Sequence, residues 1–297
     1  MPAVSLTRVV TPLMPVCDKG LCRLRRFALH IEVVLSGMIF QSSLPYDVFA
    51  PKPLPGIAPV KGAHWFIVDG AYDAQMAHRA TLIRERREDV SATDTPSKAA
   101  CDEMLAQVLA NLPDQFVSTA DQVRCPDGRV VAIDHDDPFG TLGLLLLEDV
   151  CLLEKRGDEH VLTGAVLCFP ASWRLAEKIG RPLTQIHTPV PEYTDDIARR
   201  VQRLFDGVRS GHPIWRFNAL WYDDPELHQP RSEGVLRDVN DVETTPYLRS
   251  ERQVIWRLPE SGGVLFTIHT FVLRRADALA LKRSINPKEK ASAHGSS

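Results

Sequence analysis

A chain of 297 residues, 44% hydrophobic and 25% charged, has the make-up of a globular protein with room for one large domain or two small ones. A formal net charge of -3 offers no field for nucleic acid or an acidic lipid surface. The six cysteines are scattered, with no C-x-x-C pair and no Cys/His zinc spacing, which suits a reducing, cytoplasmic compartment.

In chain order, "CRLRRFALHIEVVLSGMIF" begins basic and turns apolar, as a signal peptide does. His30 and Glu32 interrupt it, and it falls short of the ~20 apolar residues of a membrane span. Residues 1–43 are therefore read as a poorly ordered N-terminal extension. Residues 44–62 are proline-rich and should wrap the domain surface. "DAQMAHRATLIRERREDV" has apolar residues at helical period and a charged far face. "TPSKAACDEMLAQVLANLP" predicts a second helix, with Thr95 as cap, Pro96 at its first position and Pro113 as its stop. An Asp-Gly turn leads into a strand over Val130 to Ile133, and Asp137-Pro138 opens a Leu-rich helix.

"EDVCLLEKRGDEHVLTGAVLCFP" reads as a hairpin with arms Val150 to Lys155 and Val161 to Phe169. "SWRLAEKIGRP" predicts a helix capped by Ser172 and ended by Gly180. The helix of "YTDDIARRVQRLF" follows. "YLRSERQVIWRLPESGGVLFTIHTFVL" is a second hairpin turning at Glu-Ser-Gly-Gly. The helix of "ADALALKRSI" precedes a polar tail, 283–297, expected to be disordered. Antiparallel strands interleaved with helices, without a repeat, make the fold α+β and a single domain over 44–282.

Chemistry is constrained first by what is missing. There is no G-x-G-x-x-G, Walker loop, H-E-x-x-H or G-x-S-x-G, and no four-cysteine iron–sulfur pattern. Two stretches stand out. In "PLTQIHTPVPEY", His187 is followed by two prolines that hold the backbone extended and limit how far the ring can swing. The ring is either a structural exit from a helix or a ligand, with Ile186, Pro189 and Val190 as an apolar floor of the kind a haem requires. In "RSERQ", Arg249, Glu251, Arg252 and Gln253 are either a solvated charged edge or a polarised pocket. His269 lies in an apolar strand and reads more simply as a core histidine than as a ligand. Asp134, His135, Asp136 and Asp137 read as a loop feeding a helix N-terminus rather than a metal cluster. Cys125-Pro126 reads as a turn.

Together these stretches resemble the α-subunit family of the haem-dependent oxidative N-demethylases. Glu-Asp-x-Cys-Leu-Leu, Cys-Phe-Pro, Ile-His-x-Pro-Val-Pro and Arg-x-Glu-Arg-Gln occur in the family's order, from about Leu44 to Leu279. The resemblance implies a PAS-like fold holding haem b, whose iron activates O₂ to remove a methyl group from a small secondary amine such as dimethylamine. It implies an axial role for His187 beside Ile186, Pro189 and His269, and a catalytic role for Arg252, Glu251 and Gln253 as a polarising group over the ligand. It also implies separate reductase subunits carrying FMN and a 2Fe-2S cluster, and a tetrahydrofolate-linked subunit that accepts formaldehyde. The chain departs from the family in "RFNALWYDD", where Asn-Trp is usual, and at His269, where Arg is common. A haem-based gas sensor and a non-catalytic binding protein are the alternative readings. No output element is visible beside the domain, which favours the enzyme.

Overall fold

The structure, a computed structural model, describes residues 39–50, 56–62, 65–186, 195–233, 235 and 241–285. A seven-stranded antiparallel sheet forms its centre. The strands are β1 (Ala58–Pro59), β2 (Ser91–Thr93), β6 (Asp149–Arg156), β7 (Glu159–Val166), β8 (Ile214–Tyr222), β9 (Tyr247–Arg257) and β10 (Val264–Arg274). Their order across the sheet is β1-β8-β9-β10-β6-β7-β2. A small second sheet holds β3 (Val117–Ser118), β4 (Gln122–Arg124) and β5 (Val130–Ala132). The helices among the described residues are α1 (Tyr72–Glu85), α2 (Arg87–Val90), α3 (Lys98–Ala110), α4 (Pro138–Leu145), α5 (Leu183–Ile186), α6 (Asp195–Gly207) and α7 (Arg275–Ile285). The α+β reading holds, as do both hairpins.

Each face of the sheet carries its own core, because alternate residues of a strand point to opposite sides. On one face Val150, Leu152, Val166, Trp256 and Leu265 pack with Met76, Met104, Leu105 and Leu142 from α1, α3 and α4. On the other, Cys151, Leu153, Leu162, Ile255 and Ile268 pack with Leu175, Leu183, Phe205 and Val208 around α5 and α6. The faces are called here the α1 face and the α6 face. α4 sits unusually close to β7, because Gly164 leaves room for the Phe139 ring: a Cβ there would meet that ring at 2.3 Å.

Two helix starts differ from expectation. Ser97, not Thr95, caps α3, its side chain accepting from Ala100 N at 3.2 Å. The Thr95 oxygens are engaged instead by the Arg156 guanidinium. The helix expected from Ser172 is a single 3₁₀ turn, Leu175–Glu177. The chain beyond it is pinned to β7, with Gly180 N donating to Leu162 O and Leu162 N to Arg181 O. That edge pairing competes with further helix. At the N-terminal side, packing begins before residue 44. Ile39 and Phe40 lie against the core, and Gln41 exchanges hydrogen bonds with the Val272 backbone where β6 no longer covers β10. Residues 1–38 and 286–297 lie outside the described residues. Cys101, Cys125, Cys151 and Cys168 are free and buried, and burial pushes the Cys168 thiol up to about 12.

Two buried charge clusters tie the layers together. Arg79 of α1 has no solvent exposure. It donates to Asp149 at 2.7 Å and to the carbonyls of Gly143, Leu147 and Glu148. Asp149 in turn accepts from Cys168 N and Phe169 N. One ion pair thus joins a helix, the start of β6 and the end of the β7 segment. His269 is fully buried in β10, with Nδ1 3.0 Å from Glu148 and Nε2 3.1 Å from Asp69. Burial pushes its pKa down, but the Glu148 and Asp69 carboxylates outweigh this and raise it to about 9. At neutral pH it is therefore an imidazolium between two carboxylates.

Asp149→Asn removes the counter-charge of a buried cation, a change that typically costs about 3–5 kcal/mol. For a domain of this size calorimetry should show a melting temperature lower by roughly 6–20 °C. An unchanged melting temperature would mean that the pair is not a structural tie. His269 gives a pH dependence. The folded state holds this proton more tightly than the unfolded chain, so the contribution is complete below about pH 6.5 and is lost as pH rises through about 9. Denaturant unfolding between these limits should lose up to ~1.4 kcal/mol per pH unit, and His269→Gln should remove that slope. The buried thiols add a fall of the same sign above about pH 9 in both proteins. Equal slopes in the two proteins below pH 9 would contradict the assignment.

Candidate functional site

β9 is an inner strand, and the charged segment it carries is buried, not a solvated edge: Glu251 is 8% and Arg252 6% exposed. Because strand residues alternate, Arg249, Glu251 and Gln253 lie on the α6 face with Ile255, whereas Ser250 and Arg252 lie on the α1 face with Trp256. The sheet thus separates Glu251 from Arg252, which the sequence reading placed over one ligand.

On the α6 face, register sets Arg216 and Asn218 of β8 beside Gln253 and Glu251, and Ile268 and Thr270 of β10 on their other side. Asn218 grips Glu251 twice. Its Nδ2 donates to Oε2 at 3.0 Å, and its Oδ1 accepts from the Glu251 backbone N at 3.2 Å. Gln253 Nε2 donates to the same Oε2 at 3.4 Å, and Arg249 Nε lies 3.6 Å from Oε1. Arg249 is itself fixed by the carbonyls of Leu227 and Phe169. The result is a buried carboxylate held in one orientation beside half-buried neighbours on β8 and β9. Three polar atoms on this face are buried without a hydrogen-bond partner: Arg249 Nε, which has only the Glu251 ion pair, and Arg216 Nε and Thr270 Oγ1.

Ile186 is the last residue of α5 and packs against the apolar cluster of the α6 face, the cluster that Ile214 and Phe266 also pack against and that contains Ile268. Its carbonyl accepts from Lys178 Nζ at 2.6 Å, and Lys178 is also paired to Glu233. The chain is therefore anchored immediately before His187. His187 and Pro189 lie outside the described residues.

The α1 face holds the other two residues. Arg252 Nη1 donates to Trp65 O at 3.2 Å, and its guanidinium stands 5.5 Å from the Trp215 ring. His269 is the cross-strand neighbour of Arg252, with both ring nitrogens engaged by carboxylates. Neither shares a face with Glu251. Asp137 caps α4 by accepting from Gly140 N, and Asp134 accepts from Asp136 N and Asp137 N, so the acidic loop serves the helix start. Among the described residues there is no cluster of three His, Cys, Asp or Glu side chains placed to hold a metal ion. Likewise, no helix among them is long and apolar enough to cross a membrane.

Three residues that matter here escaped the sequence reading: Arg216, Asn218 and Lys178. "WRFNALWY" does alternate, with Trp215, Phe217, Ala219 and Trp221 on one face and Arg216, Asn218, Leu220 and Tyr222 on the other. That pattern was the available signal for a strand with one polar face. Nothing in "RLAEKIG" points to a lysine reaching the end of α5. The sequence model of the family described as haem-dependent oxidative N-demethylase, alpha subunit-like matches residues 56–284, well over half of the chain, and the chain belongs to that family.

Proposed function

We propose that this chain is the haem-holding oxygenase component of an oxidative N-demethylase acting on a small secondary amine, with electrons delivered by partner reductase subunits. The observation that carries the reading is Glu251: a buried carboxylate, oriented by Asn218 and Gln253, on the same sheet face as the residue that leads into His187. FMN and a 2Fe-2S cluster belong to the partners in this reading, since the chain has no motif for either. A tetrahydrofolate-linked subunit that takes up formaldehyde belongs to the same scheme. The antiparallel sheet flanked by helices is read as the PAS-like arrangement.

The residues of the α6 face fit haem b. Ile186, Ile214, Phe266 and Ile268 supply apolar surface, and the partnerless Arg216 Nε and Thr270 Oγ1 supply polar contacts that the protein itself leaves open. His187 would hold the iron, with Ile186 and Pro189 flanking it. Bound haem supplies the activation of O₂. The protein's own contribution is electrostatic and positional. A secondary amine is mostly protonated at neutral pH. Glu251 can hold that ammonium through Oε1 and then accept its proton, which must leave before the nitrogen can lose an electron. Asn218 and Gln253 occupy Oε2, so the free lone pairs point one way. Arg252 and His269 take a different part, as the charged tie on the opposite face.

His187→Ala should lose haem or shift the Soret band, while His269→Gln should keep the Soret band and lose stability. The reverse pattern would move the axial role to His269. Glu251→Gln should bind haem normally yet turn over about 10²-fold more slowly at a given amine concentration, since an oriented base typically contributes 10²–10⁴-fold. The readout is formaldehyde formed per NADPH oxidised, with reductase in excess. Wild-type rate and coupling in Glu251→Gln would remove this residue from the site.

A further inference from the structure

Buried charges in this protein are generally matched. Arg79 has Asp149, His269 has Asp69 and Glu148, Lys178 has Glu233, and Arg249 has Glu251 and two carbonyls. Arg216 differs. Its Nε is buried without a hydrogen-bond partner, and among the described residues no carboxylate lies within ion-pair distance. Burial alone lowers its pKa, with no acidic group acting against it. The nearest carboxylate by register, Glu251, is already taken by Asn218, Gln253 and Arg249. The direct cross-strand neighbour is the neutral Gln253. A partly dry guanidinium without a counter-charge is costly, and the cost is offset only if an anion arrives with something bound.

We propose that Arg216 is the anchor for a carboxylate of the bound ligand at the β8 side of the α6 face. A guanidinium meets a carboxylate through paired N–H donors, which suits this role better than a point charge. The assignment rests on the reading of this face as the haem site. Two ligands bring such a group there: haem through a propionate, or an N-methylated amino acid as substrate.

The test uses the full-length protein without haem, titrated with haem and with haem dimethyl ester while the Soret band is followed. The wild type should prefer the free acid. Arg216→Met should weaken haem binding roughly 10–100-fold, leave the ester unaffected and so abolish the preference. Arg216→Lys should recover part of it. A second arm titrates the haem-loaded protein with dimethylamine and with N-methylglycine by optical difference spectra. If Arg216→Met keeps the haem preference but loses only the N-methylglycine response, the carboxylate belongs to the substrate. If it changes neither, the anchor is overturned. Melting of the haem-free proteins separates a structural role, because removing an unmatched cation should leave Arg216→Met at least as stable as the wild type. A large drop in stability with unchanged ligand responses also overturns the proposal. A wild type that binds neither haem nor its ester refutes the haem reading itself, and the propionate source with it.

Discussion

Adjacent side chains of a β-strand cannot share a face, and this constraint divides the protein's chemistry. Within Arg-Ser-Glu-Arg-Gln of β9, Ser250 and Arg252 are sent to one core, and Arg249, Glu251 and Gln253 to the other. β9 has neighbours on both sides, so none of these groups escapes to solvent through a sheet edge. Each must be matched where it falls, and the two faces match them differently.

The α1 face is heavily cross-linked, although Gln75 Oε1, Glu148 Oε2 and Thr267 Oγ1 are buried there without partners. Tyr46 shares a hydrogen bond with Ser250, Ser250 donates to Asn218 O, Arg252 reaches Trp65 O, and His269 bridges Glu148 and Asp69. Glu148 also accepts from Ile67 N, and Asp69 from Gln41. The network therefore fastens the chain that precedes α1 to the sheet. A cluster so heavily cross-linked is suited to rigidity. The α6 face differs in holding a cation, Arg216, with no counter-charge among the described residues. Glu251 is held still by its neighbours, whereas Arg216 and Thr270 keep unmatched polar atoms. Rigid charge beside unmatched polarity is what a preorganised ligand site requires.

Much of the fold was legible because the strong elements are locally consistent. The β9–β10 and β6–β7 hairpins carry long apolar arms and turn glycines, and α4 has Asp137 and Pro138 at its start. Failures came where long-range contacts decide. Thr95 lost its capping role because Arg156, from a distant strand, engages its oxygens. The helix expected at Ser172 is cut to one turn by pairing with β7. β8 went unread because Arg216 and Asn218 interrupt its apolar run. Of the site, Glu251 and Gln253 were visible as unusual residues in a strand. Its grouping was not, since the Glu251–Arg252 neighbourhood in sequence is a separation in space.

The proposal that haem binds on the α6 face is tested most directly by locating the iron. An anomalous-difference map collected at the iron edge from crystals of the haem-loaded protein locates the iron without reliance on a built ligand. A single peak is expected on the side of the sheet that carries Glu251, Ile268 and Arg216. A peak on the side that carries Arg252 and His269 would contradict it.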